Sequence, residues 1–422
     1  MNRQANSRLL AAAAIVVAAF LAGASAKTIT VDDDGLADFN NIQAAIDASA
    51  DGDVVLVAPG TYTGDGNRDI DFRGKAITVK SEVGPKTCII DCQGSKNEFH
   101  RGFYFHSGED AKSVLDGFTV TGAYAEWGGG GILCDESSPS ICNCAIVGNT
   151  ATAGGGILTA RSDAVISNCV IAGNINYVCV GSNSDGGGGV YCSHNHPVFW
   201  NCTIYGNRAT RFGGGILCGG GWPGEALLQN CIFVGNRAGL GGNEIYAPGS
   251  TCTTRGGCIT AEILACCVED EPNAVIWDQA WDNPLEPPAG SYIMVDPKFA
   301  TSGYWDPNGT PDDSNDDFWV GGDYHLKSQA GRWDPQSQSW IQDDATSPCI
   351  DAGDPASPVG QEAFPNGGVI NMGAYGGAAE ASKSYFGKPV CETIIVGDIN
   401  GDCKVDAADL SIMAYHWLCE QQ

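Results

Sequence analysis

Short apolar runs alternate with polar residues along the middle of the chain, and the same run recurs. The segments Gly129-Gly130-Gly131-Ile132-Leu133-Cys134, Gly154-Gly155-Gly156-Ile157-Leu158, Gly187-Gly188-Gly189-Val190-Tyr191-Cys192 and Gly213-Gly214-Gly215-Ile216-Leu217-Cys218 are one element repeated. Each is followed by a second that opens on Asn-Cys and closes on Asn: Asn143-Cys144 to Asn149, Asn168-Cys169 to Asn174, Asn201-Cys202 to Asn207, and Asn230-Cys231 to Asn236. The four cysteines lie 25, 33 and 29 residues apart, the period of one coil of a solenoid. Within each coil the apolar positions alternate, as in Ile141, Cys144 and Ile146. Such alternation predicts short strands stacked ~4.8 Å apart, so that each slot becomes a ladder of like side chains.

Leu115, Phe118 and Val120 extend the slots upward, and Leu264 and Cys267 extend them downward. The pattern thus predicts Cys144, Cys169, Cys202, Cys231 and Cys267 in one inward stack. Glycine runs mark corners, where the chain needs positive φ or close approach. Asn149, Asn174, Asn207 and Asn236 are expected to end each second strand in the left-handed conformation and to stack on one another. Ile42 to Ala48 reads as a short amphipathic helix and Gly52 to Tyr62 as a strand and turn. Residues 290–385 keep short strands (Tyr292 to Val295, Tyr324 to Leu326, Cys349-Ile350, Val369 to Met372) between polar loops, read as the last, irregular coils.

The ends differ from this body. Arg3 and Arg8, the apolar stretch Leu9 to Leu21, and Ala24-Ser25-Ala26 read as a signal peptide over 1–26 cleaved after Ala26, so that a secreted or cell-surface protein without a transmembrane span is expected. The body then covers 27–385, a linker 386–396 and a small tail 397–422. In the tail, Asp398, Asn400, Asp402, Asp406 and Asp409 fall at positions 1, 3, 5, 9 and 12 of a calcium loop, with the Lys404 carbonyl at position 7. Calcium is the expected cofactor. Cys403 stands where the mid-loop glycine usually lies, and a disulfide to Cys391 is the expected brace; Cys252 and Cys258 are a second candidate pair. The loop and following helix resemble one half of a dockerin, which implies attachment to a scaffold or cell-envelope protein; one loop is present where dockerins carry two.

Glycine repeat, stacked slots and N-terminal helix together resemble the right-handed parallel β-helix of the pectin-lyase-like superfamily. The resemblance implies an all-β solenoid with that helix capping its open end, and it admits polysaccharide lyases and hydrolases. The hydrolase signature of that superfamily sets paired aspartates beside Gly-His-Gly and Arg-Ile-Lys, and neither Gly-His-Gly nor Arg-Ile-Lys is found in this sequence.

Composition narrows the partners. A net charge of -28 excludes a general nucleic-acid surface. The central bases are arginines, and Arg208 and Arg237 both follow the repeated Gly-Asn, one coil apart on one edge. With Arg211 they are candidates to bind carboxylates of an acidic polymer; a solvated corner carried along by the repeat is the competing reading. Six tryptophans at 277, 281, 305, 319, 333 and 340 offer either sugar stacking or loop packing. The acidic run from Asp306 to Asp317 reads as a solvated loop, and His194 and His196 lack a third histidine nearby.

Two functions stand. One is an exported solenoid that binds extended, acidic polysaccharide and is anchored by its calcium tail; the other is a polysaccharide lyase or, less in keeping with the sequence, a hydrolase. The tail has its own test: calorimetry of a peptide spanning 388–422 should give calcium heat when oxidised and weaker binding when reduced, because a looser loop loses more entropy on binding.

Overall fold

The computed structural model describes residues 26–177, 186–219, 224–247, 259–277, 290–311 and 316–387, with isolated positions 405, 407 and 410. Over them the chain winds as a parallel β-helix. One coil shows the plan: Ile132–Asp135 lies in sheet C, Ser140–Cys142 in sheet A, Ala145–Val147 in sheet B, and Thr150–Ala151 in a narrow sheet D, before Ile157–Ala160 returns to C. Among the described residues sheets A and B have nine strands, C eight and D five. The predicted slots are in register: Ile141 lies between Leu115 and Ile166, and Ile166, Phe199 and Leu228 follow one another. All are fully buried.

The corners explain the residue types. Between sheets A and B, Asn143, Asn168, Asn201 and Asn230 take φ of 51–56°, a conformation that asparagine tolerates better than most residues. The next residue is the inward cysteine. Its thiol donates to the carbonyl two residues back, as in Cys144 to Cys142 (3.1 Å) and Cys169 to Ser167 (3.2 Å). It also accepts the cysteine N–H of the preceding coil: Cys144 N–H to Cys169 Sγ, Cys202 to Cys231 and Cys231 to Cys266, each 3.4 Å. Burial pushes these thiols well above their ordinary pKa, so they remain small neutral donor–acceptors.

The stack therefore ends on Cys266 and not on the expected Cys267, which pairs with Ile232 and faces outward. Likewise Ile263, not Leu264, continues the Leu228 slot. Alternation specifies register only where one face is polar, and here both faces of sheet B are buried. Ala265 takes the left-handed corner in place of asparagine, at φ 48°.

Between sheets B and D the asparagines stack as expected but are not left-handed. Gly148, Gly173, Gly206 and Gly235 just before them take the positive φ, which leaves each asparagine free to point inward. Asn149 donates through Nδ2 to Asn174 Oδ1 (3.1 Å), Asn174 to Asn207 (2.9 Å) and Asn207 to Asn236 (2.8 Å). Asn236 in turn donates to the Glu244 carboxylate, which terminates the row.

A helix, α1 (Ile42–Ala48), begins on Asn41, whose side chain accepts the Ala44 N–H at 2.8 Å. Its apolar face, Ile42, Ala45 and Ile46, joins the core at the first coils.

Residues 290–385 correct the expectation of terminal coils. Tyr292–Met294 is a last rung of sheet B; the chain then folds back along that sheet's outer face as a flank segment of antiparallel hairpins. Its Phe299, Tyr324, Leu326, Cys349 and Met372 bury outward residues of the solenoid, including Ala172, Ile232 and Cys267. The corner asparagines hold it by their side chains: Asn168 Nδ2 donates to the Ala374 and Gly376 carbonyls (3.0 and 2.8 Å), Asn201 Nδ2 to Asn371 O (2.9 Å), and Asn230 Oδ1 accepts from Asp354 N (2.7 Å). Short strands between polar loops read alike whether they stack on a solenoid end or lie along its side.

The inward row makes a stability prediction. Asn207→Ala leaves the Asn174 backbone N–H without its acceptor and removes one donor each from Ile171 O and Asn236 Oδ1 in a dry interior; it should cost about 3 kcal/mol, read by chemical denaturation, and a loss below about 0.5 kcal/mol would contradict it.

Candidate functional site

Sheet D is narrow because its inward positions are small: Ala125, Ala151, Asn176 and Ala209 are buried, and each strand is two residues long. Its outward positions form one line, Tyr124, Thr150, Ile175, Arg208 and Arg237, in register from coil to coil. At ~4.8 Å per coil the line runs about 19 Å. Arg208 and Arg237 lie on one edge, one coil apart, as their spacing predicts.

The two ends differ in chemistry. At one end Phe99 stacks on Tyr124 (centroids 6.0 Å), Tyr124 lies 5.0 Å from Tyr177, and Trp127 follows nearby in the chain with 79% of its surface exposed. At the other end Arg208 lies 4.2 Å over the Trp305 ring and pairs with Asp317 at 2.7 Å. Arg237 pairs with Glu271 at 2.8 Å and Glu269 at 3.5 Å. Arg211 lies over Phe212, 5.6 Å from its centroid. Arg208 and Arg237 therefore already carry internal carboxylates. Arg208 also helps hold the flank, since Trp305 and Asp317 both belong to it.

One side of the line is bounded by the hairpin Tyr304–Asp306 and Phe318–Val320. Trp305 Nε1 donates to Gly206 O at 2.8 Å. Trp319 lies flat on Gly173 and Gly206, where any Cβ would run into its ring. These glycines are required twice, for positive φ and for this contact.

Two groups of carboxylates could hold a hard cation: Asp32, Asp33 and Asp34 near the N-terminal coil, and Glu244, Glu269 and Glu271 beside Arg237, with oxygens within 4.8 Å of one another in each group. Burial drives the Glu244 carboxyl well above its ordinary pKa, opposed by the Asn236 amide and reinforced by Glu269. Glu362, buried in the flank, is pushed by burial to about 7 despite accepting the Asn371 and Gly377 N–H groups.

The sequence reading missed His325, which it placed only as part of a strand. His325 is buried, with Nδ1 2.6 Å from Asp323, Nε2 3.4 Å from Glu380, and its ring stacked on Tyr375 at 3.6 Å. Burial pulls its pKa down, but Asp323 and Glu380 together raise it above the ordinary value. The spacing Asp323-Tyr324-His325 was the available signal. Arg332 closes the cluster on Asp323 (3.1 Å) and Asp343 (3.2 Å), which sets it inside the flank, away from the sheet D line.

His194 meets Ser193 (2.6 Å) and His196 faces Asp163 (3.7 Å), and no third metal ligand joins them among the described residues. In the acidic run, Asp306 accepts the Asn308 N–H, Asp316 accepts from Thr310, and Asp317 binds Arg208. The calcium-loop residues Asp398, Asn400, Asp402, Lys404, Asp406 and Asp409, and the cysteines 391, 403, 252 and 258, lie outside the described residues. No helix among the described residues is long and apolar enough to cross a membrane.

Residues 73–259 match the family model of the right handed beta helix region, which agrees with the parallel coils and supplies their hand. Residues 288–353, the start of the flank, match a family described as disaggregatase related. No curated protein matches the chain. Among solved structures it is similar to the pectate lyase Pel9A, at 17% identity over 83% of this chain and 97% of that one with a TM-score of 0.37. It is also similar to a pectin methylesterase from Aspergillus niger, at 16% identity over 65% and 86% with a TM-score of 0.35.

The raised carboxyls fix a pH dependence. Glu362 is neutral in the fold up to about 7 but ionises near 4.5 when unfolded, so its contribution is complete below 4.5, falls as pH rises and is gone above 7. Denaturation at pH steps across this window should show stability declining, and Glu362→Gln should flatten the decline; an unchanged slope in the variant would remove Glu362 as its source.

Proposed function

We propose that the chain is an exported binder of extended polysaccharide, which lies along the outward line of sheet D. The observation that supports this reading is that line itself: one outward side chain per coil over about 19 Å, aromatic at one end, hydrogen-bonding at the other, and walled by the Trp305 and Trp319 hairpin. Exposed rings suit the apolar faces of sugars, and guanidinium groups suit their oxygens. A repeat of one coil per ~4.8 Å is of the same order as the repeat of an extended glycan.

The pairing of the arginines shifts the preferred ligand from the acidic polymer expected from sequence toward a neutral chain. An acidic glycan would have to displace Asp317 or Glu271 against a net charge of -28. A neutral one meets no such opposition. The acidic reading keeps one support, the half-exposed Arg237. Calcium binding by the tail residues Asp398 to Asp409, and attachment through that tail to a scaffold or envelope protein, complete the proposal. A polysaccharide lyase is the second reading; it needs a base and a stabilising cation beside the substrate, and the Glu244, Glu269 and Glu271 group next to Arg237 is the place where the two would meet.

Affinity electrophoresis of the mature chain in gels containing neutral or acidic polysaccharides tests the proposal. Retardation by a neutral glycan, weakened up to about tenfold by Tyr124→Ala or Trp127→Ala, is expected. Retardation unaffected by either variant would move the site elsewhere, and release of unsaturated sugars from polyuronate would replace binding by lyase chemistry.

A further inference from the structure

Two cysteines stand apart from the inward stack and meet at the seam between solenoid and flank. Cys267 faces outward from sheet B, opposite Ile232, while Cys349 arrives with the flank; both are fully buried in the same apolar cluster. The Cys267 thiol donates to the Val295 carbonyl at 3.4 Å, and Cys349 packs beside it in the same buried cluster. That contact and burial push the Cys267 thiol far above its ordinary pKa. Once the flank has docked, Cys267 stays protonated and is a poor nucleophile. In a chain whose flank had not yet docked, Cys267 would stand on the uncovered outer face of sheet B, within reach of an oxidant.

We propose that Cys267 and Cys349 form a disulfide that fastens the flank to the solenoid when the chain folds in the presence of a disulfide oxidant. With oxidised glutathione as that oxidant, the thiolate of one cysteine attacks a glutathione sulfur and expels one glutathione thiolate, leaving a mixed disulfide. The second cysteine thiolate then attacks the protein sulfur of that bond and expels the other glutathione. Two protein thiols are oxidised to one disulfide, one glutathione disulfide is reduced to two thiols, and the two protons lost by the cysteines pass to the released glutathione.

Geometry separates this pair from the other neighbouring cysteines. Cys144, Cys169, Cys202, Cys231 and Cys266 repeat once per coil, so strand spacing of ~4.8 Å holds their Cβ atoms wider than the ~3.8 Å mean of a disulfide. Cys192 and Cys218 are register neighbours in sheet C and share that limit. Cys267 and Cys349 belong to segments packed side on, whose separation no ladder fixes. The bond would close the chain from 267 to 349 and restrict the unfolded flank.

Peptide mapping of the full chain decides it. The protein is refolded in a glutathione redox buffer, alkylated, digested without reduction and analysed by fragmentation mass spectrometry. A linked peptide pair joining Cys267 to Cys349 is expected, lighter than its two parts by two hydrogens. The link should survive Cys266→Ala and vanish in Cys267→Ser. Reduction should then raise the rate of protease cleavage within 295–387 several-fold. Alkylation of both cysteines after refolding, or a link from either to a different cysteine, would overturn the proposal. Wild-type fragmentation between Cys266 and Cys267 gives the assignment even if a variant fails to fold.

Discussion

A solenoid this narrow has to satisfy its backbone at every corner, where strand pairing stops and water is excluded. Two side-chain rows meet that constraint. Between sheets A and B the inward cysteine thiols donate to backbone carbonyls and, at Cys169, Cys231 and Cys266, accept an N–H from the preceding coil; between B and D the asparagines do so through a carboxamide that both donates and accepts. Small size matters as much as polarity, since a larger residue at either position would force the sheets apart. The positive-φ residue before each, asparagine at one corner and glycine at the other, aims these side chains inward. Strands of two to four residues then suffice in most coils, with Gly224–Gln229 and Ile259–Leu264 longer at six.

The same corners organise the outside. Because the corner asparagines turn their side chains outward, they offer amides to the flank, and the flank covers sheet B and leaves sheet D with an open line. Arg208 sits where the two meet, paired with Asp317 and capped by Trp305. Binding along sheet D and anchoring of the flank are therefore coupled at that residue. Disturbing Asp317 would alter both.

Much of this was legible in the sequence because repetition averages out local ambiguity. The slots of Ile141, Cys144 and Ile146 and the adjacency of Arg208 and Arg237 are confirmed in register. Legibility failed where repetition failed. At Cys266-Cys267 two like residues stand side by side and both faces are buried, so alternation could not choose between them. The flank repeats nothing, and its long-range contacts, such as Asn168 with Ala374 and Gly376, leave no local trace. Sequence spacing located the arginines but carried no information about Asp317 or Glu271, which reach them from distant parts of the chain. The aromatic end at Phe99, Tyr124 and Tyr177 was missed for the same reason, since it is assembled from three coils.

Hydrogen exchange on the full chain, followed by mass spectrometry, tests the corner rows most directly. Peptides covering the corners at Asn149, Asn174 and Asn207 should be protected as strongly as the strands beside them, because their N–H groups are held by the amide of the next coil. Exchange at those corners as fast as at the solvent-facing loop tips would show that the rows do not hold the solenoid together.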